Sequence, residues 1–246
     1  NFMKSCTEKN IYCKYFSKTY EEARSKFRHN CKILKLEKKT IKIKCKYDND
    51  LTIDIGILNG SKKKIFLHIS GTHGAEAYAG SAIQIFLLER YAINLSKNKS
   101  YNGPTIIFVH ALNPYGMKYG RRFNEDNIDL NRNFCSKSLF KKLSSEEPSK
   151  IYSEMYNWLN PEKNRKTCKL TLNEKLEMLY YITKFGKTDI KQNVVGGQYH
   201  YPKGIFFGGN KLSQSHTLLS KYLKKRFSKK IEKLCILDVH TGIGPK

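Results

Sequence analysis

Histidine and glutamate, two side chains that bind metal ions, stand three residues apart in the motif Ser-Gly-Thr-His-Gly-Ala-Glu that ends at Glu76. In a turn that enters a helix, His73 and Glu76 share one face, with about 5–6 Å between their Cβ atoms. The glycines of the motif let the backbone turn tightly and leave room for a ligand. A lone His-x-x-Glu also occurs where no metal binds, and Glu76 then only complements the dipole of a helix N-terminus. The motif by itself leaves both interpretations open.

A second candidate ligand is His240, in the motif Asp-Val-His-Thr-Gly. This histidine stands where an apolar segment ends, whereas a histidine that only fills a core stands inside such a segment. His73, Glu76 and His240 together form the two-histidine, one-glutamate set of a catalytic zinc site, which keeps one coordination position open for water. Asp238 lies two residues earlier on the same strand face, where it either orients a ligand or is simply a strand-end carboxylate.

Arginines are concentrated in the segment that follows Asn113-Pro114. The chain has 38 lysines and only 8 arginines, yet 12 consecutive residues hold three of the arginines. The polar residues of this short stretch are Arg121, Arg122, Asp129, Asn131 and Arg132. An arginine fork binds a carboxylate through two hydrogen bonds, and beside a zinc ion it can stabilise a developing oxyanion. The alternative is a basic surface loop in which Asp129 neutralises a neighbouring arginine.

The elements that must hold these residues are typical of an α/β domain. Residues 41–58 alternate with period two around a Tyr-Asp-Asn-Asp turn, which predicts a hairpin. Apolar runs predict further strands at 63–70, 105–112 and 233–240. Apolar periodicity predicts helices at 19–31, 78–95, 147–158, 172–185 and 213–229, with capping boxes at Thr19/Glu22 and Thr171/Glu174.

Short strands separated by helices indicate a mixed central sheet with helices on both faces. In such sheets the polar residues that bind ligands lie beyond the carboxyl ends of the strands. Three predicted strands end close to candidate residues: His73, Asn113 and His240. The pattern therefore predicts one site that is formed by distant segments of the chain.

Composition and charge narrow the classes of function. The formal net charge is +25 and asparagine, at 19 residues, is abundant beside lysine, which is typical of solvated surface rather than of a dedicated nucleic-acid site. The positive field still favours anionic ligands. No window approaches about 18 consecutive apolar residues, so no transmembrane helix is predicted.

The seven cysteines are odd in number and form no Cys-x-x-Cys pair. This count argues against a disulfide framework and against a cysteine zinc site, so we expect free thiols in a reducing compartment. The start of the chain has no apolar signal segment. Both observations favour a cytoplasmic localisation.

Taken in order along the chain, these motifs resemble the zinc carboxypeptidase superfamily. The resemblance rests on residues 73–76, on Asn-Pro-Tyr-Gly with Arg-Arg-Phe-Asn-Glu-Asp-Asn-Ile-Asp-Leu-Asn-Arg-Asn-Phe, and on Asp-Val-His-Thr-Gly. The likeness is strongest to an uncharacterised carboxypeptidase-like branch related to the aspartoacylase and succinylglutamate desuccinylase group. It implies a zinc-carboxypeptidase-like (phosphorylase/hydrolase-like) fold. We expect one catalytic domain over residues 1–246 that lacks its C-terminal part, with a lineage-specific insertion at 136–200.

The resemblance also implies a role for each matching residue. The implied ligands of one Zn²⁺ per chain are His73, Glu76 and His240. Asn131 and Arg132 match an Asn-Arg pair that grips a carboxylate of the substrate. One arginine of the Arg121-Arg122 pair polarises the scissile carbonyl; similarity to the acylase relatives favours Arg122, and Arg121 stays open.

The implied function is a zinc-dependent hydrolase that cleaves an amide bond next to a carboxylate, most simply a metallocarboxypeptidase. Its partners are then peptides or N-acyl amino acids with a free carboxylate, with no specific nucleic acid and no membrane span. An N-acyl amino acid deacylase of the aspartoacylase kind needs the same arginines, and a non-catalytic zinc-containing peptide-binding relative is a further alternative.

The general base of this superfamily is a glutamate downstream of the third ligand, and this sequence ends at Lys246. Either the native chain continues past Lys246, or the protein is a degenerate relative. From the residues at hand we expect zinc binding and poor hydrolysis.

Overall fold

The structure, a computed structural model, describes residues 12–92, 94, 101–161, 170–227 and 231–242. Two compact units divide the chain. The first unit comprises residues 1–125 and 214–246, and the second comprises residues 126–213. The segment predicted as an insertion, 136–200, falls within the second unit.

A mixed sheet of five strands forms the centre of the first unit within the described residues. The strands are β1 (Glu37–Ile43), β2 (Leu51–Leu58), β3 (Ser61–Ser70), β4 (Pro104–His110) and β5 (Lys233–Val239). Their spatial order is β1-β2-β4-β3-β5. The β1–β2 and β2–β4 pairs are antiparallel, whereas β3 pairs in parallel with both β4 and β5. This topology confirms the predicted α/β class with a mixed central sheet.

Helices connect and flank these strands. The α-helices of the described residues are α1 (Tyr20–Ile33), α2 (Ala77–Leu87), α3 (Pro114–Tyr119), α4 (Lys137–Ser145), α5 (Lys150–Leu159), α6 (Leu172–Phe185), α7 (Lys187–Val195) and α8 (Gln214–Arg226). Short 3₁₀ turns lie at Cys13–Tyr15, Gly74–Glu76 and Leu130–Arg132, and a π-helical turn, Leu88–Ala92, follows α2. Across the described ranges, none of the helices is both long and apolar enough to span a bilayer.

Helix α1 begins at a side-chain cap and packs closely on the sheet. The hydroxyl of Thr19 accepts a hydrogen bond from the amide of Glu22 at 3.1 Å, which satisfies an amide that the helix itself leaves unpaired. Phe27 and Cys31, four residues apart, are both buried. A Cβ atom at Gly56 of β2 would lie 2.6 Å from the sulfur of Cys31, so the absence of a side chain there lets α1 approach the sheet.

The sheet carries helices on both faces. Side chains alternate along β1, so Thr40 and Glu37 project to opposite sides. Thr40 is bonded to Asp54 on the side that α1 covers. On the other side, Arg226 of α8 pairs with Glu37 at 2.8 Å. The predicted two-sided covering of the sheet is thereby confirmed.

The described part of the second unit is mainly helical and has its own core. Tyr152 and Met155 of α5 pack with Ile190 and Val194 of α7 in one buried cluster. Helix α6 begins with the predicted capping box, in which the Thr171 hydroxyl accepts from the Glu174 amide and the Glu174 carboxylate accepts from the Thr171 amide.

Helices α3, α4 and α7 are not among the predicted elements. Helices α4 and α7 are each nine residues long, which is too short for apolar periodicity to repeat clearly. The other predicted strands and helices are present with bounds shifted by a few residues. Residues 95 and 228–229, at predicted helix ends, lie outside the described residues.

One cysteine departs from the expectation of free thiols. Cys13 is disulfide-bonded, so the prediction is wrong at this position. An odd number of cysteines excludes the pairing of all of them, but it does not exclude a single bridge. The cysteines that the structure describes as free are Cys31, Cys45, Cys135 and Cys235.

Candidate metal centre

Three parallel strands bring the segments that carry the candidate residues to one edge of the sheet. β3 lies between β4 and β5, with Ile69 opposite Val109 on one side and Ser70 opposite Val239 on the other. Because the strands are parallel and in register, the residues that follow their carboxyl ends emerge side by side. The predicted convergence of the segments after β3, β4 and β5 is thus a property of the sheet.

His73, Glu76 and His240 form a compact group at this edge. His73 Nδ1 lies 3.0 Å from Glu76 Oε1, and His240 Nδ1 lies 3.2 Å from His73 Nδ1 and 3.4 Å from Glu76 Oε2. One donor atom from each residue lies within 4.8 Å of the others. Within the described residues these three side chains therefore form a group that could hold a metal ion.

The 3₁₀ turn that carries Glu76 is held against the start of α3. Gly74 packs directly on the backbone of Gly116, where there is no space for a Cβ atom. The amide of Ala75 donates to the carbonyl of Arg121 at 3.1 Å. Asn113 caps α3 by accepting from the amide of Gly116 at 2.8 Å. These backbone contacts fix the position from which Glu76 projects.

Glu76 is stabilised in its charged form. Its Oε2 accepts a hydrogen bond from the amide of Thr241 at 2.7 Å. Burial, the strongest influence, raises the pKa of the Glu76 carboxyl, but the Thr241 amide and the charge of His73 outweigh it, and the pKa lies below its ordinary value. A carboxylate that is ionised at neutral pH is the form that binds a metal cation.

Asp238 and Thr72 orient the ring of His240. Asp238 Oδ2 lies 2.9 Å from His240 Nε2, and the Thr72 hydroxyl donates to both oxygens of Asp238 at 2.8 and 2.9 Å. A carboxylate only accepts hydrogen bonds, so Nε2 carries the proton, and a neutral ring then has its lone pair on Nδ1. That lone pair is on the atom that faces His73 and Glu76.

This arrangement fits a divalent metal ion such as zinc. Two imidazole nitrogens and a carboxylate are the donor set of catalytic zinc sites with an open coordination position. The bond from His240 to Asp238 is the outer contact by which carboxylates orient metal-binding histidines. The role of the three residues as ligands stays a prediction that their geometry fits.

The two adjacent arginines are placed differently. The Arg122 guanidinium lies 3.9 Å from Glu76 Oε1, and the Arg122 carbonyl accepts from Asn113 Nδ2 at 3.2 Å. Arg121 is exposed and joins this region through its carbonyl oxygen. Arg122 is therefore the arginine whose side chain lies beside the His73–Glu76–His240 group.

Asn131 and Arg132 belong to the second unit. Both lie in the 3₁₀ turn Leu130–Arg132, whose N-cap Asp129 accepts from the amide of Asn131 at 3.0 Å. The Arg132 guanidinium donates to the main-chain carbonyls of Asn131 and Val195 at 3.2 and 2.9 Å. The binding of a substrate carboxylate by this pair stays a prediction.

Thr72 and Thr241 are contributors that the sequence analysis did not single out. Each is adjacent to a candidate ligand, Thr72 before His73 and Thr241 after His240. The Thr-His and His-Thr pairs at two strand ends are the only sequence signal for them. A hydroxyl bonded to Asp238 and an amide bonded to Glu76 become apparent only in the folded chain.

Several solved structures resemble the chain weakly. A metallo-carboxypeptidase from Burkholderia cenocepacia is 15% identical, with 91% of this chain and 61% of that one covered and a TM-score of 0.36. Bovine thrombin-activatable fibrinolysis inhibitor, solved with tick carboxypeptidase inhibitor, is 19% identical over 93% and 78% of the two chains, with a TM-score of 0.37. A proposed metallopeptidase from Shewanella denitrificans OS217 is 22% identical over 42% and 36%, with a TM-score of 0.34.

The chain thus spans about a third of the Shewanella protein and three fifths of the Burkholderia protein. At such TM-scores these likenesses carry no argument about activity, which has to come from the geometry of the site. No curated protein matches the chain.

A family model matches the chain over nearly all of its length. The model is that of the protein family of unknown function DUF2817, and it matches residues 16–246. The matched range includes the whole second unit, the first unit from residue 16 onward, and each candidate ligand. The chain therefore belongs to the DUF2817 family.

Proposed function

We propose that this protein is a zinc-dependent hydrolase that cleaves an amide bond next to a carboxylate, as a metallocarboxypeptidase does. The observation that carries the proposal is the approach of His73 Nδ1, His240 Nδ1 and the Glu76 carboxylate to within 4.8 Å of one another. These residues come from segments 167 positions apart, and His240 is oriented by its own carboxylate partner. A histidine that serves only packing needs neither feature.

A zinc ion held by two histidines and a glutamate activates water and polarises a carbonyl group, which is the chemistry of amide hydrolysis. The residues of this chain have separate tasks around it. Asp238 keeps the proton of His240 on Nε2, so that Nδ1 is available as a ligand. Arg122, beside Glu76, is the residue that we assign to the negative charge that develops on the carbonyl oxygen.

The proposal that the substrate carries a carboxylate rests on the arginines and on the overall charge of the protein. Arg132 and Asn131 match the pair that grips a substrate carboxylate in the superfamily that the motifs resemble. The formal net charge of +25 attracts anionic substrates over a long range, although salt weakens this attraction. A peptide with a free C-terminus or an N-acyl amino acid meets both requirements.

The first test is the metal content of the protein after purification without chelator and dialysis against zinc. We expect about one zinc per chain, and we expect His73→Ala and His240→Ala to lose it, since two remaining donors hold zinc poorly. His29→Ala is the matched control, because His29 is exposed and stands apart from the group. Equal zinc binding by all four proteins would refute the ligand assignment.

The second test is turnover of paired peptides that differ only at the C-terminus. We expect slow release of the last residue from a peptide with a free carboxylate, in keeping with the poor hydrolysis expected from these residues, and none from the same peptide with a C-terminal amide. Release of the acyl group from N-acyl amino acids, without peptide trimming, would favour the deacylase instead. Zinc binding without any turnover would refute the hydrolase and favour a peptide-binding relative.

A further inference from the structure

A second polar site lies in the first unit, under α1. A cavity of about 510 Å³ opens between α1 and the β1–β2 edge of the sheet. Its volume is within the range of about 300–1,000 Å³ that is usual for pockets that bind small molecules. None of the residues that line it belongs to the His73–Glu76–His240 group, so the cavity is separate from the candidate metal centre.

Cationic side chains dominate the lining of this cavity. Arg28 and Lys32 come from α1, and Lys38 and Lys39 come from β1. Lys39 neighbours Thr40 on β1, so its side chain projects to the opposite side of the sheet. Among the described residues of the lining Asp54 is the one carboxylate, so the side chains that face the cavity carry a formal charge of +2 with histidine neutral. Charges of one sign around a cavity raise the local concentration of an oppositely charged ligand.

The carboxylate of Asp54 does not compete with an anionic ligand for the lysines of the cavity, because its hydrogen bonds are already made. Asp54 is 3% exposed. It accepts from Arg28 Nε at 3.0 Å, from the Thr40 hydroxyl at 2.7 Å and from the Thr52 hydroxyl at 3.0 Å. Its charge is matched by that of Arg28, and the same contacts hold the guanidinium in one place at the wall of the cavity.

Two lysines, Lys32 and Lys38, are available to a ligand. In the part of the chain that the structure describes, neither forms an ion pair with a carboxylate, and both are exposed. Each has a plain alternative role, since a lysine in the last turn of a helix complements its dipole and lysines on an edge strand discourage strand pairing. Neither role accounts for a cavity at which they meet an arginine fixed by a buried carboxylate.

We infer that this cavity binds a small molecule that carries phosphate groups. A phosphate bears a charge of about −1.5 to −2 at neutral pH on one compact group, which matches several cations that converge on one cavity. Arginine binds phosphate through its planar fork, and lysine binds it as a point charge. The inference does not depend on the proposed hydrolase, because the two sites share no residue.

Calorimetric titration with inorganic tripolyphosphate tests the inference. We expect one binding event per chain, which weakens as salt is raised from about 20 to about 150 mM. Each exposed charge in contact with the ligand changes affinity by about fivefold in water. The double substitution Lys32→Gln/Lys38→Gln should therefore raise the Kd by about tenfold or more.

The matched control is Lys221→Gln/Lys225→Gln on α8, which removes the same net charge from exposed positions outside the cavity. We expect this control to bind tripolyphosphate almost as the unaltered protein does. An equal loss in both double variants would overturn the inference, because the overall field would then be responsible. Absence of a 1:1 event at low salt, or equally tight binding of citrate, would overturn it as well.

Discussion

At the scale of single residues, the orientation of His240 depends on a chain of hydrogen bonds. Thr72 donates to Asp238, and Asp238 accepts from His240 Nε2. The side chain of His240 is 29% exposed, so packing alone does not hold the ring. The hydrogen bonds rather than the core select the ring tautomer that presents Nδ1 to the candidate metal centre.

We expect Asp238→Asn to weaken zinc binding by about 10–100-fold, since loss of an outer partner of a ligating histidine has effects of this size. The amide can present its NH₂ group to Nε2, which favours the tautomer with the proton on Nδ1. Competition with a fluorescent zinc chelator measures the Kd. Asp189→Asn, an exposed change in α7, should leave the Kd unaltered; the same Kd in Asp238→Asn would show that Asp238 does not orient the ligand.

At the scale of elements, the site depends on the close approach of two turns. The 3₁₀ turn Gly74–Glu76 follows β3, and α3 follows β4, so the parallel pairing of these strands brings both turns together. Gly74 lies directly on the backbone of Gly116. The position of Glu76 is therefore set by a contact between backbones, which a flexible side chain cannot relax.

The substitution Gly74→Ala should destabilise the first unit by about 1–3 kcal/mol, the usual cost of forcing an extra carbon into a well-packed place. It should also weaken zinc binding, because the turn that carries Glu76 has to move. Urea unfolding and zinc titration measure the two effects. Gly242→Ala is the control, since nothing lies within 4 Å of a Cβ atom there. Full stability and zinc affinity in Gly74→Ala would contradict the proposed contact.

At the scale of the whole molecule, buried histidines link stability to pH. Burial, the main cause, lowers the pKa of His110 and of His216 to about 4 from an ordinary value of 6.5. Folding thus favours the neutral rings. Their contribution to stability is complete above about pH 6.5 and is lost as the pH falls from 6.5 towards 4.

We expect the free energy of unfolding to decrease over this range by up to about 3 kcal/mol for each of the two histidines. Urea unfolding at a series of pH values measures it. His110→Asn and His216→Asn should each flatten the profile, whatever they do to stability at pH 7. His29→Gln, at an exposed position, should keep the slope. An unchanged slope in both asparagine variants would assign the pH dependence to other groups.

Local patterns were sufficient to predict many of the elements. The alternation of residues 41–58 corresponds to the β1–β2 hairpin, and Thr171 with Glu174 corresponds to the cap of α6. Such features depend on neighbours within a few positions, so the sequence carries them directly. Helix α4 was missed because its nine residues are fewer than the about 11–18 over which apolar periodicity can be recognised.

The sequence by itself determined the residue types of the candidate metal centre and their places after apolar strands. Only the tertiary structure decided how closely the predicted partners His73 and His240 approach each other, because that distance depends on β3 and β5 being parallel neighbours. It also decided that Arg122, and not Arg121, has its guanidinium beside Glu76. The physical reason is that local propensity acts over a few residues, whereas the order of strands and the direction of a side chain follow from packing across the whole sheet.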